Sequence, residues 1–297
     1  MKKSFIQLHI AVFLAGFTGP LGKLITLNEG LLVWYRLLIT SVSMWILFSL
    51  MGRLQKISWR DILKLTGVGF MSALHWLTFY GSIKYANVSV ALVCFSSVGF
   101  FTALFEPFIT HKKMNWTELL LGMIVIAGIY VIFHFDTKYE YGIILGVICA
   151  ILLAMAMIFL RSFLQRMNSE TVLTYQLSGG FITLSIFLPF YLQKLPAMNF
   201  MPDFENLMWL LVLSWFCSVL AFQLSTRALK KLTAFTVNLS FNLEPVYGII
   251  LAFLLFGESK ELSWSFFLGF SLIAASLIIH VILLLNQEKK LLRKQSV

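Results

Sequence analysis

Long apolar runs, separated by short polar segments, fill almost the whole chain. A helix needs roughly 20 apolar residues to cross a bilayer core of about 30 Å. The runs do not alternate in polarity, as the roughly ten-residue strands of a transmembrane barrel do. The pattern therefore predicts an all-α integral membrane protein with ten transmembrane helices. We place these helices at residues 5–24, 31–50, 62–83, 88–109, 117–135, 141–162, 171–192, 207–229, 233–256 and 264–285.

The composition excludes a soluble globular domain. Hydrophobic residues make up 59% of the chain and charged residues 12%, whereas ordinary soluble domains carry about 25% charged residues. Cys94, Cys149 and Cys217 fall in three separate predicted helices. We interpret them as small apolar packing residues and expect neither a disulfide nor a metal site. Lys2 and Lys3 precede an apolar run that is longer than the core of a signal peptide, so we expect a first transmembrane helix there.

Basic residues are distributed unequally between the predicted loops. If the N-terminus is cytoplasmic, sixteen lysines and arginines fall in inside segments and four fall in outside loops. The positive-inside rule describes this bias, and an even number of helices then places both termini in the cytoplasm. The formal charge of +10 therefore reflects membrane topology, and we expect no nucleic-acid partner. Residues 289–297 form a basic cytoplasmic tail, which we expect to lie beside anionic lipid.

The second half of the chain resembles the first at an offset of 147 residues. KYANVSVAL at 84–92 aligns with KLTAFTVNL at 231–239, and LLLGMIVIAG at 119–128 aligns with FFLGFSLIAA at 266–275. With five helices in each repeat, the second copy enters the membrane from the opposite side. Inverted repeats are typical of secondary transporters, whose substrate site lies near the membrane midplane. We place the repeats at residues 1–136 and 137–288.

Particular residues extend this likeness to a known family. The segment NLEPVYGIILAFLLFGE, Gly269 eleven residues after Glu258, and an arginine in the second helix are similar to the ten-helix EamA-type branch of the drug/metabolite transporter superfamily. Pro245, Gly257 and Glu258 match the proline and the Gly-Glu of that family's penultimate helix. The likeness covers nearly the whole chain.

The first repeat departs from the family pattern. Val98 and His111 stand where the repeat symmetry would place proline and glutamate. The resemblance implies a transporter without a cofactor, and it implies no enzymatic activity and no catalytic residue. Because the family covers exporters of amino acids, other metabolites and drugs, the substrate stays open.

Arg36 and Glu244 are ionisable residues inside predicted helices, where inserting a charge costs at least about 2.5–3.5 kcal/mol. Arg36 shares a face of the second helix with Thr40 and Ser43. It can hold a substrate carboxylate or bond backbone carbonyls at helix ends. Glu244 lies at the predicted middle of the ninth helix, before Pro245, which is expected to kink that helix. Proton or cation coupling, pairing with Arg36 and a structural bond at the kink are the alternatives for Glu244.

The first helix contains GFTGPLGK at residues 16–23. It lacks the spacing of a phosphate-binding loop, because Phe17 replaces the first glycine and Leu24 the serine or threonine. ATP-driven transport is therefore not expected. Gly19 and Pro20 form either a flexible gate or a site of close helix packing.

Further polar and aromatic side chains are candidates for the wall of a substrate cavity, or for simple packing. A cavity of this kind combines apolar walls with a few polar groups. Ser218 and Gln223 are weaker candidates. The main ones are His75, Trp76 and Tyr80 on the third helix, Tyr175 and Gln176 on the seventh, and Asn238 and Asn242 on the ninth.

These features favour a secondary transporter of the cytoplasmic membrane that exports small organic metabolites, such as amino acids or related compounds, by alternating access. Its partners would be the lipid bilayer, the substrate and a coupling proton or other ion. The alternatives are a non-transporting membrane scaffold and an enzyme that acts on lipid-linked substrates. Neither an HExxH nor a GxSxG motif is present to support the enzyme. The sequence does not define an oligomeric state.

Overall fold

Helices occupy nearly every position that the hydropathy pattern assigns to the membrane. The computed structural model describes residues 2–111, 113–135, 137–193, 200–229, 240–241 and 243–295. The α-helices are α1 (Lys2–Gly16), α2 (Thr18–Leu24), α3 (Glu29–Leu50), α4 (Trp59–Tyr85), α5 (Val88–Phe95), α6 (Val98–Thr110), α7 (Trp116–Phe135), α8 (Glu140–Leu164), α9 (Ser169–Leu192), α10 (Phe204–Ser214), α11 (Ala221–Leu229), α12 (Glu244–Phe256) and α13 (Trp264–Gln295). A π-helical turn, Trp215–Leu220, joins α10 to α11, and short 3₁₀ turns cover Thr137–Tyr139 and Glu258–Lys260.

Nine of the ten predicted transmembrane helices are present at full length in the described part of the chain. They are long and apolar enough to cross a bilayer. The remaining predicted helix covers residues 233–256. The structure describes part of it, namely α12 and the residues Ser240, Phe241 and Leu243. No strand occurs among the described residues. The all-α membrane architecture predicted from the sequence is confirmed.

Short polar loops set where the helices begin. Asn28, Ser58, Asn87, Asn168 and Asp203 each accept a hydrogen bond from the backbone N–H three residues later. A side-chain acceptor at this position satisfies one of the donors that a helix start leaves open. The loops therefore place α3, α4, α5, α9 and α10 at defined depths.

Small residues bring the longest helices into backbone contact. A Cβ atom on Gly180 would lie 2.6 Å from the carbonyl oxygen of Gly69, where α4 crosses α9. A Cβ on Gly128 would lie 2.6 Å from the carbonyl oxygen of Gly269, where α7 crosses α13. Helices in lipid associate through such close approach, because lipid chains are as apolar as the side chains. Gly146 of α8 is packed in the same way, since a Cβ there would lie 2.6 Å from Cβ of Cys94 in α5.

The helix pairing repeats when the two halves of the chain are exchanged. In the first half, α4 packs on α8, the opening helix of the second repeat. In the second half, α11 packs on α1, the opening helix of the first repeat. The closing helices of the two repeats, α7 and α13, pack on each other. This reciprocal pairing is the geometry expected of an inverted repeat.

Within the described residues, the first, fourth and ninth transmembrane helices are interrupted inside the bundle. The first breaks at Phe17, between α1 and α2, and the fourth at Ser96 and Ser97, between α5 and α6. The ninth has a turn at Leu243, directly before α12. At the repeat offset, Ser96 and Ser97 correspond to Leu243 and Glu244. The fourth and ninth helices are thus interrupted at equivalent positions, and non-helical backbone at this depth is tolerated only inside protein or beside water.

The expected kink at Pro245 takes a different form. We predicted a bend in the middle of one continuous helix, but α12 begins at Glu244 and Pro245 occupies its first turn. The first turn of a helix needs no N–H from this residue, so proline is well tolerated there. The Glu-Pro pair therefore marks the start of a half-helix.

Candidate functional site

Arg36 lies at the centre of the contact between α3, α4 and the π-helical turn. Its side chain is buried, with 2% of the residue exposed. Nη1 donates a hydrogen bond of 2.6 Å to the Tyr80 hydroxyl. Nη2 and Nε lie 3.1 and 3.3 Å from Oγ of Ser218, which accepts from them. A guanidinium has five N–H donors in a planar fork, and these neutral oxygens accept three of its hydrogen bonds.

Two aromatic rings on α4 face the same guanidinium. The guanidinium carbon of Arg36 lies 4.1 Å from the centre of the Trp76 ring and 5.9 Å from that of Tyr80. Trp76 and Tyr80 are one turn apart, so both rings project from one face of α4. A cation above an aromatic face is attracted by the ring quadrupole, and more strongly where water is excluded. The sequence-predicted candidates Arg36, Trp76 and Tyr80 therefore form one cluster.

Arg36 has no acidic partner within salt-bridge distance in the described part of the chain. The ion pairs found there at N–O distances up to 4.0 Å are Lys23–Glu258, Arg53–Glu170, Arg161–Glu106 and Arg166–Asp61. The alternative in which Glu244 pairs directly with Arg36 is not the arrangement seen. The guanidinium thus lies inside the bundle without a direct ion pair in the described structure.

The break before α12 meets the break in the first transmembrane helix. A Cβ atom on Gly16 would lie 2.9 Å from Cβ of Tyr247 and 3.4 Å from the carbonyl oxygen of Glu244. A Cβ on Gly248 would lie 3.0 Å from the carbonyl oxygen of Gly16 and would overlap the side chain of Leu92 in α5. Glu244 itself is half-buried. Glu244 and Pro245 therefore lie where α1, α5 and α12 converge.

Gly19 and Pro20 lie in α2, and both are buried. A Cβ on Gly19 would lie 3.0 Å from Val88 and 3.8 Å from Phe79. This crowding requires a small residue at position 19. The gating role predicted for the two residues stays a prediction.

The remaining candidates occupy other parts of the bundle. His75 lies 3.1 Å, through Nδ1, from both the carbonyl oxygen and Sγ of Cys149. The Tyr175 ring packs against Trp45, with the ring centres 5.1 Å apart. Asn238 and Asn242 lie outside the described residues. His75 bonds to α8, whereas Trp76 and Tyr80, which are close to it in the chain, face Arg36. Sequence spacing alone does not predict this difference.

Several buried polar atoms lack a hydrogen-bond partner among the described residues. Thr40, one turn from Arg36 on α3, has an unpaired Oγ1, and Ser41 beside it has an unpaired Oγ. Nε2 of Gln176 donates to Oγ of Ser72 at 2.8 Å, but Oε1 of Gln176 has no donor. Leaving a buried polar atom unpaired costs about 1–3 kcal/mol. Such atoms are candidates to bond a bound ligand.

Ser218 shows what tertiary structure adds to the candidate site. The sequence makes it only one of the weaker candidates. The π-helical turn, Trp215–Leu220, contains this serine, and π turns are frequent at functional sites. No residue pattern identified this turn beforehand. The partnership with Arg36, 182 residues away in the chain, was therefore not predicted.

Comparisons with known proteins agree with this geometry. The sequence model of the EamA-like transporter family matches residues 2–134 and again residues 140–282. A solved crystal structure that is 15% identical in sequence superposes with a TM-score of 0.64 and covers 97% of this chain and 99% of the other. No curated protein matches the chain. Two successive matches to one family, together covering most of the sequence, agree with the two five-helix repeats, and the chain belongs to the EamA-like transporter family.

Proposed function

We propose that this membrane transporter exports small organic metabolites that carry a carboxylate, such as amino acids or related compounds, and that Arg36 binds the carboxylate. One observation carries the proposal: a buried guanidinium that bonds only to neutral oxygens in the described structure. A charge in a membrane interior is costly unless a partner compensates it. A substrate carboxylate would supply that partner in the bound state.

The unpaired polar atoms extend the proposal to the rest of the substrate. Oγ1 of Thr40 and Oε1 of Gln176 are buried acceptors without donors in the described structure. An ammonium or hydroxyl group of the substrate can donate to such atoms. Trp76 would contribute an apolar wall, as aromatic side chains do in small-molecule sites. The other predicted binding residues, His75, Tyr175, Asn238 and Asn242, remain proposals of lower priority.

Alternating access is the mechanism that we propose for movement across the membrane. The interrupted fourth and ninth helices are equivalent in the two repeats, and they meet the interrupted first helix near Gly16 and Gly248. Interrupted helices at a repeat interface recur in transporters that rock one half against the other. Glu244 lies at this meeting point, where a carboxyl that gains and loses a proton can couple transport to a proton gradient.

The proposed location is the cytoplasmic membrane, with both termini on the cytoplasmic side. Support comes from the sixteen basic residues in the loops predicted to be inside, against four outside. The ends of α3, α6 and α8 and the starts of α4 and α9 lie together at the predicted inner end of the bundle, where they are joined by ion pairs. The lipid bilayer is the expected surrounding partner.

The direct test is transport by purified protein in liposomes. A panel of amino acids, amines and nucleosides should be offered under imposed pH and voltage gradients, with Arg36→Gln and Arg36→Lys beside the unchanged protein. We expect carboxylate-bearing compounds to be moved by the unchanged protein and not by Arg36→Gln. Arg36→Lys keeps the charge but loses the planar fork, so we expect weaker transport.

A matched control is Arg166→Gln, which removes an arginine of an exposed ion pair at the end of the bundle. It should transport as the unchanged protein does. Failure of the unchanged protein to move any compound in the panel would contradict the proposal and favour a non-transporting scaffold. If the unchanged protein does transport, untargeted metabolite profiles of cells with and without the protein, inside and outside, would identify the exported compound.

A further inference from the structure

Glu258 lies near an end of the bundle and has no exposed surface. It follows α12 in the 3₁₀ turn Glu258–Lys260. Oε2 accepts hydrogen bonds from the backbone N–H of Ser89 at 2.9 Å and from its hydroxyl at 2.6 Å. Oε1 accepts from the backbone N–H of Val88 at 3.1 Å and from Nζ of Lys23 at 2.8 Å. One carboxylate thus receives four hydrogen bonds.

The partners of Glu258 belong to two other helices. Val88 and Ser89 open α5, and Lys23 lies in the last turn of α2. A helix start presents free N–H groups and a partial positive charge, so it stabilises a carboxylate. Nζ of Lys23 also lies 4.5 Å from the centre of the Phe256 ring in α12. The carboxylate therefore ties together α2, α5 and the end of α12.

The opposite end of the bundle is held together differently. The carboxylates of Glu170, Glu106 and Asp61 are 11, 24 and 21% exposed, whereas that of Glu258 has no exposed surface. Their arginine partners are 39, 61 and 55% exposed, and Lys23 is 35% exposed. Exposed ion pairs contribute little, because water screens them and the side chains lose freedom on pairing. At the repeat offset, Glu258 corresponds to His111, which is exposed. The first repeat thus has no carboxylate at the position equivalent to Glu258.

A cleft is present at the end that carries the exposed ion pairs. It lies between α3, α9 and α11, and Arg53, Glu170 and Arg227 line its polar side. Phe48 and Phe222 form its apolar wall. At the other end of the bundle, the Glu258 side chain is fully buried.

We propose that Lys23, Glu258 and Ser89 form a latch that closes the outer side of the transporter, and that the protein without substrate rests closed there and accessible from the cytoplasm. This inference rests on the proposed function, because it assigns the latch to one side of an alternating-access cycle. Opening the outer side separates α2 from α5 and α12. The carboxylate then loses its hydrogen-bond donors, and substrate binding has to offset the free-energy cost of that loss.

The latch accounts for a difference between the two repeats that family likeness leaves unexplained. A charge-assisted bond is roughly twice as strong as one between neutral groups, and the Glu258 carboxylate, which has no exposed surface, accepts four of them. If the two repeats closed their sides of the membrane equally strongly, the transporter would rest open to neither side in preference. Glutamate in the second repeat and His111 in the first bias the resting state toward the cytoplasm, as an exporter requires.

Thiol accessibility tests the latch without knowledge of the substrate. The three native cysteines, Cys94, Cys149 and Cys217, are buried and would be replaced by alanine. A reporter, Leu92→Cys, then lies one turn below Ser89 on α5, at a position that is 2% exposed. A membrane-impermeant maleimide is added to intact cells and, separately, to inside-out vesicles.

With the latch intact, we expect the reporter to be labelled slowly from outside. Adding Glu258→Gln should make this labelling about tenfold faster or more, because losing one charge-assisted bond changes the population of the open state by about that factor. Ser89→Ala should give a smaller increase. Glu261→Gln, an exposed carboxylate in the same loop, is the matched control and should leave the rate unchanged. A second reporter, Gln223→Cys, lies in the cleft. In protein with an unchanged latch, the maleimide should label it from the cytoplasmic side.

Monodisperse elution and an unchanged thermal unfolding curve show which variants fold. If Glu258→Gln does not fold, Ser89→Ala and Lys23→Gln carry the test, because each removes one partner and leaves the carboxylate. Unchanged outside labelling in the folded latch variants overturns the proposal. Fast outside labelling with the latch intact also overturns it. Because labelling needs no substrate, failure of the latch and failure of transport give separate results.

Discussion

Arg36 and Tyr80, which are 44 residues apart in the chain, are joined by a hydrogen bond of 2.6 Å between Nη1 and the phenolic oxygen. Tyr80 has no exposed surface and Arg36 is 2% exposed. The bond fixes the guanidinium plane over the α4 rings and leaves the positive charge without a carboxylate partner in the described structure. A bound anion would therefore meet a guanidinium that is already oriented, which lowers the cost of binding.

Replacing Tyr80 with phenylalanine tests the importance of this bond. We expect Tyr80→Phe to lower the free energy of unfolding by about 1.5–3 kcal/mol, the range for a hydrogen bond to a charged group. Tyr139→Phe is the control, because the Tyr139 hydroxyl is buried without a partner in the described structure. That change should be neutral or stabilising. Thermal unfolding in detergent measures both variants, and equal losses of stability would contradict the interpretation.

Thr40 offers a test that separates ligand binding from stability. Its hydroxyl is buried and unpaired in the described structure, so Thr40→Val should leave the thermal midpoint unchanged or raise it. If this hydroxyl bonds the substrate, the KM for transport should rise by about tenfold, equivalent to about 1.4 kcal/mol. Thr183→Val is the control, because that hydroxyl bonds the carbonyl oxygen of Gly179 in its own helix. A higher KM in the control alone would reverse the assignment.

Two neighbouring glycines on α4 should respond oppositely to alanine. A Cβ on Gly69 would overlap the backbone of α9, namely the carbonyl oxygen of Gln176 and the backbone nitrogen of Gly180. Neither atom can move away without displacing the helix. We expect Gly69→Ala to cost about 1–3 kcal/mol, as overpacking does. Nothing lies within 4 Å of a Cβ on Gly67, so Gly67→Ala should gain up to about 1 kcal/mol of helix propensity. Thermal unfolding midpoints of the two variants, compared with that of the unchanged protein, test both expectations.

Glu244→Gln tests proton coupling. A carboxyl can alternate between a charged and a neutral form, whereas an amide stays neutral. We expect the variant to lose accumulation driven by a pH gradient but to keep exchange of labelled for unlabelled substrate across the membrane. Liposome assays with and without a gradient measure the two activities. Accumulation that persists in Glu244→Gln would assign coupling to another group.

Much of the fold was predictable because the bilayer imposes it. Each helix must satisfy its own backbone hydrogen bonds in lipid and must span a fixed thickness. Hydropathy, a local property, therefore located nine helices that the structure describes at full length. The offset of 147 residues in the sequence likewise predicted two repeats, and the family match covers both.

The sequence by itself determined the number of helices, the inverted repeat and the unusual position of Arg36 inside a membrane helix. Tertiary structure alone decided which groups surround that arginine, because Ser218 reaches it from a π-helical turn 182 residues away. It also placed Glu258, expected only to mark the end of the ninth helix, in a buried cluster with Lys23 and Ser89. Membrane thickness constrains each helix separately, but such partnerships depend on how the helices pack.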